Sequence, residues 1–215
     1  MLTDNKSLLH YRFYMAFLAL TAWFALALQL YLVLQDGPLL GRTTGQQLVL
    51  YFTFFTILTN ILVAVTFTAR SIMPQSIFSS FSLLTAVTLY IVVVGIVYNT
   101  VLRGLLTLNG ASVIANELLH VIVPSSTLLY WLFTPKQKLP LSSPFKWLWY
   151  PSAYLVLALV KGAATNAYPY PFINAAELGY PKVFLNAGAV MVVFLALGFA
   201  LVGISRLSKP NTQKT

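Results

Sequence analysis

Cysteine is missing altogether from these 215 residues, so no disulfide, thiolate metal site or cysteine nucleophile can contribute. Charge is nearly as scarce. Charged residues make up 8% of the chain and only 4 are acidic, whereas a soluble domain carries about 25% charged residues. Histidine occurs twice, as His10 and His120. His10 sits beside Tyr11 and Arg12 and reads as a solvated flank, which leaves one histidine for the apolar interior. A closed metal shell would have to lean on Glu117 and neutral oxygens, and a bis-histidine haem is unavailable within one chain. No metal and no cofactor are expected. Also absent are a Gly-x-Ser-x-Gly elbow, a phosphate-binding loop and a dinucleotide fingerprint. No internal repeat, low-complexity tract or soluble domain is evident.

What the chain has is hydrocarbon. Hydrophobic residues make up 59% of it and the mean hydropathy is +0.81, which marks an integral membrane protein. The formal net charge of +9 is assigned to juxtamembrane anchoring on anionic lipid headgroups rather than to nucleic acid. Six segments approach the roughly 20 apolar residues a span requires: 11–34, 48–69, 79–102, 112–133, 145–160 and 183–204. The expectation is an all-α, polytopic single domain over 1–215 with six transmembrane helices. The first segment is followed by a polar loop containing Asp36, Gly37, Pro38 and Arg42. Ala25-Leu26-Ala27 resembles a signal cleavage site, but the apolar run exceeds the ~7–15 residues of a signal core, so the segment reads as a retained helix. The fifth segment is the shortest and carries Pro151. Trp147, Trp149 and Tyr150 form an aromatic belt.

Sidedness follows from Lys and Arg. Lys6, Arg12, Arg70, Lys136, Lys138, Lys146, Arg206, Lys209 and Lys214 fall on one side, and Arg42, Arg103, Lys161 and Lys182 on the other. Nine against four predicts cytoplasmic termini. The loop Tyr168-Pro169-Tyr170-Pro171-Phe172 then lies on the far side.

Polar residues within the spans are few and patterned. The second segment carries Thr53, Thr56, Thr59 and Asn60 at helical spacing on one stripe. The fourth carries Asn116, Glu117, His120, Pro124 and Thr127. Glu117 and His120 are the acid and the histidine at membrane depth, and ionisable groups there usually mark a working site. Counted from Leu48 and Ser112, Thr56 and His120 each lie eight residues in, or about 12 Å down at ~1.5 Å per residue. A neutral histidine beside a threonine hydroxyl can take its proton as the hydroxyl attacks a carbonyl, then return it to the leaving alkoxide. Glu117, one turn before His120, is a candidate to orient the imidazole. Asn60 and Asn116 are candidates to donate to a developing oxyanion. The plainer alternative is structural: threonines bonding their own i−4 carbonyls, Glu117 and His120 tying helices together, and Pro124 only kinking its helix.

The run Tyr51-Phe52-Thr53-Phe54-Phe55-Thr56-Ile57-Leu58-Thr59-Asn60, the stretch Asn116 to Pro124 with its histidine, and Tyr170-Pro171-Phe172 before the last helix resemble bacterial relatives of the androgen-induced protein family, which includes the androgen-dependent TFPI-regulating protein. The resemblance spans nearly the whole chain in helix count and motif order. It implies a multi-pass enzyme of the bacterial cytoplasmic (inner) membrane that cleaves fatty acid esters of hydroxy fatty acids with a threonine nucleophile, and it implies that His120 is the catalytic histidine. The family's threonine pattern fits both Phe52-Thr53-Phe54 and Phe55-Thr56-Ile57. Depth selects Thr56, with Thr53 as second choice. On this reading an acyl chain lies between helices, Lys161, Arg103 or Lys182 meets a substrate carboxylate, and Tyr170 and Phe172 cap the pocket. The alternative is a non-enzymatic membrane protein, a small transporter or a regulatory or scaffold protein. A transporter would more naturally show broken helices repeated in two halves, and the Gly and Pro interruptions do not repeat in that way.

Overall fold

The computed structural model describes residues 5–105 and 107–207, with side chains from Tyr11 onward. The side chains of Lys6, His10, Lys209 and Lys214 lie outside the described residues. The protein is 83% helix, with no strand among the described residues. Its helices are α1 (Asn5–Leu39), α2 (Thr44–Thr53), α3 (Phe55–Ile72), α4 (Phe81–Val97), α5 (Ala111–Glu117), α6 (Val123–Phe133), α7 (Ser143–Trp147), α8 (Trp149–Thr165), α9 (Ala175–Leu178) and α10 (Tyr180–Leu207). Two π-helical turns, Tyr98–Leu102 and Leu118–Ile122, continue α4 and join α5 to α6. Five stretches are long and apolar enough to cross a membrane: Tyr11–Leu39, Phe55–Ile72, Phe81–Leu102, Ala111–Phe133 and Tyr180–Leu207. The remaining expected segment, 145–160, falls on α7 and on the 17-residue α8, separated at Leu148.

The chain divides into two compact units, Met1–Thr134 and Pro135–Thr215. In the first unit α1 packs on α3, α3 on α4, α4 on α6, and α5 and α6 return to α1, closing a four-helix ring. Of the α4 window 61% is buried, against 28% for the windows in α1 and in α5–α6, so α4 is the inner helix, apolar all round as such a helix must be. Its Thr85 and Thr88 are fully buried and return their hydroxyls to Phe81 and Leu84 carbonyls at 2.8 Å each. Trp131 is fully buried and donates from Nε1 to Thr85 at 2.9 Å. Phe13, Phe17, Leu20 and Phe24 leave an exposed apolar stripe along α1, a surface that suits lipid and not water.

Two boundaries depart from the sequence reading. Asp36, Gly37 and Pro38, read as loop, form the last turn of α1. The helix ends in a Schellman motif: Gly41, at φ 65°, donates to Pro38 at 3.2 Å and Arg42 donates to Gly37 at 2.9 Å, which uses the carbonyls a helix end leaves open. Buried Gln47 donates to the Val33 carbonyl at 2.6 Å. A Cβ on Gly37 would stand 2.9 Å from the Gln47 Cγ, so that glycine makes the room.

The second segment is not one helix. A capping box between Thr43 and Gln46 starts α2 at Thr44, and the chain turns extended at Phe54 (φ −81°, ψ 129°) before α3 begins. No proline or glycine causes the break. The run Thr53-Phe54-Phe55-Thr56 is aromatic and β-branched, hence a weak helix former, and Thr53 bends the end of α2 by donating its hydroxyl to Val49 at 2.5 Å.

In the second unit, α8 runs into Asn166, a left-handed C-cap at φ 53°. The Tyr168 ring then lies flat against Gly162, where a Cβ would approach it to 2.2 Å. Ala158, Ile173, Ala175 and Val183 form a small core, with Tyr154, Tyr168, Tyr170 and Phe172 packed on it. Asn186 of α10 donates to the Phe172 carbonyl at 2.9 Å. The aromatic-proline loop is therefore pinned to α8 and α10.

Candidate functional site

The site grows out of one missing hydrogen. Pro124 has no N–H, and its ring crowds the carbonyl four residues back. The helix responds locally by widening to the π-turn Leu118–Ile122, in which Val123 donates to the Leu118 carbonyl. The two carbonyls that the Pro124 N–H would have served, those of Leu119 and His120, turn sideways and find side chains on other helices. Asn60 of α3, fully buried, donates from Nδ2 to Leu119 at 3.3 Å and to the Thr56 carbonyl at 2.9 Å. Asn99, in the facing π-turn, donates to His120 at 3.4 Å and to Gly95 at 2.7 Å. A Cβ on Gly95 would stand 3.2 Å from both the His120 oxygen and the Pro124 ring, so this glycine lets α4 come close. Three helices are thus knotted around one residue. π-turns of this kind frequently mark functional sites.

His120 is half-buried inside that knot. Its Nδ1 lies 2.9 Å from the Asn116 carbonyl. A carbonyl only accepts, so Nδ1 carries the hydrogen, and in the neutral ring Nε2 is the nitrogen that presents a lone pair. The imidazole stacks on Tyr98 with centroids 4.0 Å apart and planes 24° apart. The Asn116 amide closes the loop by donating to the Tyr98 hydroxyl at 2.6 Å. Tautomer, ring plane and ring position are all held. What results is a base with a fixed direction.

The sequence-selected residues fall as follows. Thr56 is buried in the first turn of α3, and the shared amide of Asn60 ties its peptide to the one that precedes His120. Thr53 lies across the Phe54 break, half-buried on α2. Thr59 and Thr127 are fully buried. Glu117 does not reach for the imidazole. Its carboxylate forms a two-pronged pair with Arg103, at 2.8 and 3.1 Å. Arg103 also donates from Nε to Asn99 at 2.8 Å and lies over the Tyr98 ring at 5.3 Å. The orienting role expected of Glu117 passes to the Asn116 carbonyl, and the guanidinium expected to meet substrate is engaged by Glu117. Hydrogen bonding to Glu117 holds the Arg103 guanidinium above its ordinary value. The amide donors of Asn60 and Asn116 are likewise committed, to backbone carbonyls and to Tyr98. Lys161, Tyr170 and Phe172 belong to the second unit. There the Tyr168 phenol is pushed up by burial and by a hydrogen bond with Tyr180.

Tyr98 and Asn99 were not singled out in the sequence. A signal existed: Asn109-Gly110 makes the third and fourth segments antiparallel neighbours, and Arg103 and Glu117 stand equally far from Gly110 on either side. One helical turn outward from that pair stand Asn99, with Tyr98 beside it, on one arm and His120 on the other. Among the described residues no group of three His, Asp or Glu side chains is placed to hold a metal ion. No family model, no curated protein and no solved structure matches the chain.

Proposed function

We propose that this protein is a six-helix intramembrane hydrolase of lipid esters with both termini in the cytoplasm, Thr56 as nucleophile and His120 as general base. The observation that carries the reading is the 2.9 Å contact of His120 Nδ1 with the Asn116 carbonyl, which makes Nε2 the basic nitrogen of the neutral ring. The motif resemblance to the androgen-induced protein family adds the substrate class, fatty acid esters of hydroxy fatty acids. The Thr56 oxygen bonds to the ester carbonyl carbon while its proton passes to Nε2. Collapse of the tetrahedral species breaks the bond to the alkoxide, which takes the proton back from the imidazolium. Water, activated by the same nitrogen, then releases the acyl group. The Tyr98 hydroxyl, whose oxygen accepts from Asn116, keeps its own hydrogen to donate to the oxyanion.

The test is purified protein given a lipid ester and a fluorophosphonate probe, with Thr56→Ala, Thr53→Ala and His120→Ala alongside wild type. Loss of turnover in Thr56→Ala and His120→Ala is expected. A folded His120→Ala that hydrolyses like wild type removes the proposal, and a dead Thr53→Ala with an active Thr56→Ala moves the nucleophile. A second reading, a non-enzymatic membrane protein with a structural polar network, draws on the mutual pairing of Arg103, Glu117, Asn99 and Asn116. Wild type inert toward esters and probe alike would favour it.

A further inference from the structure

At the other end of the first unit, α1 and α6 leave an apolar groove of about 300 Å³ lined by Tyr11, Tyr14, Leu129, Tyr130 and Phe133. Its walls are held together: Tyr11 donates to the Phe133 carbonyl at 3.3 Å, Tyr14 donates to Ser126 at 2.9 Å, and the Tyr14 and Tyr130 rings stack at 5.8 Å. Two arginines meet at this groove. The Arg70 guanidinium lies over the Tyr130 ring at 5.8 Å and donates to the Ser79 carbonyl. Arg12, exposed beside Tyr11, donates to the carbonyl of Ser71, the residue next to Arg70, at 3.3 Å. Neither arginine has a carboxylate partner among the described residues, where the ion pair is Arg103 with Glu117. Two like charges at one membrane edge, held by backbone carbonyls and an aromatic face but by no carboxylate among the described residues, call for an anion. The apolar slot beside them calls for a hydrocarbon chain.

We propose that this groove binds one anionic glycerophospholipid, its acyl chain lying against Tyr14, Leu129 and Phe133 and its phosphodiester between Arg12 and Arg70. The site is separate from the His120 knot and does not depend on the hydrolase reading. Arginine, planar and weakly hydrated, suits a phosphodiester better than a lysine would. Tyrosines at the groove mouth match the headgroup level.

The experiment uses the full chain in nanodiscs of equal phosphatidylglycerol and phosphatidylcholine, with retained lipid counted by native mass spectrometry. Wild type is expected to retain phosphatidylglycerol in preference. At ~1 kcal/mol per basic residue near the surface, Arg12→Gln and Arg70→Gln should each lower retention about fivefold. Leu129→Trp, which fills the slot and leaves both charges, should lower it as well. Arg12→Gln, at an exposed position, keeps the test sound should Arg70→Gln fold poorly. Equal retention of the two lipids by wild type, or undiminished retention in Arg12→Gln, overturns the site. Displacement of the lipid by millimolar inorganic phosphate overturns the acyl contribution and leaves a bare anion site. A wild-type dimer that Leu129→Trp converts to monomer with lipid retention unchanged would assign the groove to a second copy of the chain, and that result also overturns the proposal.

Discussion

Asn60→Leu tests the claim that Pro124 creates the site's geometry. The substitution removes an amide that donates to Thr56 and Leu119 carbonyls. Thr56 sits in a helical turn and keeps its backbone donor. Leu119 does not, because the residue that would serve it is Pro124. An orphaned buried carbonyl costs about 1–3 kcal/mol, while interhelical hydrogen bonds in membranes average ~0.6 and reach ~1.7 kcal/mol. Asn60 Oδ1 is itself buried without a partner, and its removal returns part of the loss. The net expectation is about 1–1.5 kcal/mol of destabilisation. In a Pro124→Ala background the restored N–H can serve Leu119, and the cost of Asn60→Leu should fall to below about 0.5 kcal/mol. Reversible unfolding in mixed micelles of rising SDS fraction, run on the four proteins of the cycle, measures the difference. A coupling of about 1 kcal/mol exceeds the ~0.3–0.5 kcal/mol scatter of independent sites. Strictly additive costs would mean that Asn60 and Pro124 do not share the Leu119 carbonyl, and the account of the knot would fail.

Three further outcomes are expected. Tyr98→Phe keeps the stack on His120 and loses only the hydroxyl, so ester turnover should drop about 10²–10³-fold with KM little changed; parallel loss of thermal stability would instead mark a structural role. Hydrolysis should fall as the solution is acidified and the imidazole gains its proton, and any activity left in His120→Ala should lack that acid limb. In the second unit, Gly162→Ala places a methyl where the Tyr168 ring lies, and since a packed ring cannot yield as a flexible chain can, overpacking should cost about 1–3 kcal/mol; Tyr168→Ala combined with Gly162→Ala should cost less than the sum of the two alone.

Five long apolar helices were legible because a bilayer demands long apolar runs, a demand that local detail does not alter. The fixed helical rise is what set Thr56 level with His120 in the sequence, and in the structure Asn60 bonds the carbonyls of Thr56 and Leu119. The Phe54 break was not legible: it comes from three or four weak helix formers acting together, with no proline to announce it. The π-turn was half legible. Pro124 predicts a disturbed carbonyl at His120, but whether the helix kinks, frays or widens depends on donors from other helices, here Asn60 and Asn99. The partner of Glu117 was not legible for a related reason. One helical turn puts it near His120, yet the stronger partner, Arg103, lies across a hairpin, and a guanidinium fork outcompetes a neutral ring for a carboxylate.

That pairing separates two roles for Glu117, and one double variant distinguishes them. Both partners are roughly two-fifths exposed, so solvent screens the pair and only small effects are expected. If Glu117 only balances Arg103, then Glu117→Gln leaves a bare guanidinium over Tyr98, and Arg103→Gln leaves a bare carboxylate beside the imidazole. Each single change should alter ester turnover by about two- to fivefold, a small change in barrier. Arg103→Gln with Glu117→Gln restores neutrality and keeps hydrogen-bonding side chains at both positions, so turnover should return close to wild type. If Glu117 instead orients His120, the double variant should be as slow as Glu117→Gln alone, because removing Arg103 cannot replace a lost carboxylate. The geometry favours the first outcome. The imidazole is already held on Nδ1 by the Asn116 carbonyl and on its face by Tyr98, which leaves the neutral ring no further N–H for the Glu117 carboxylate to accept.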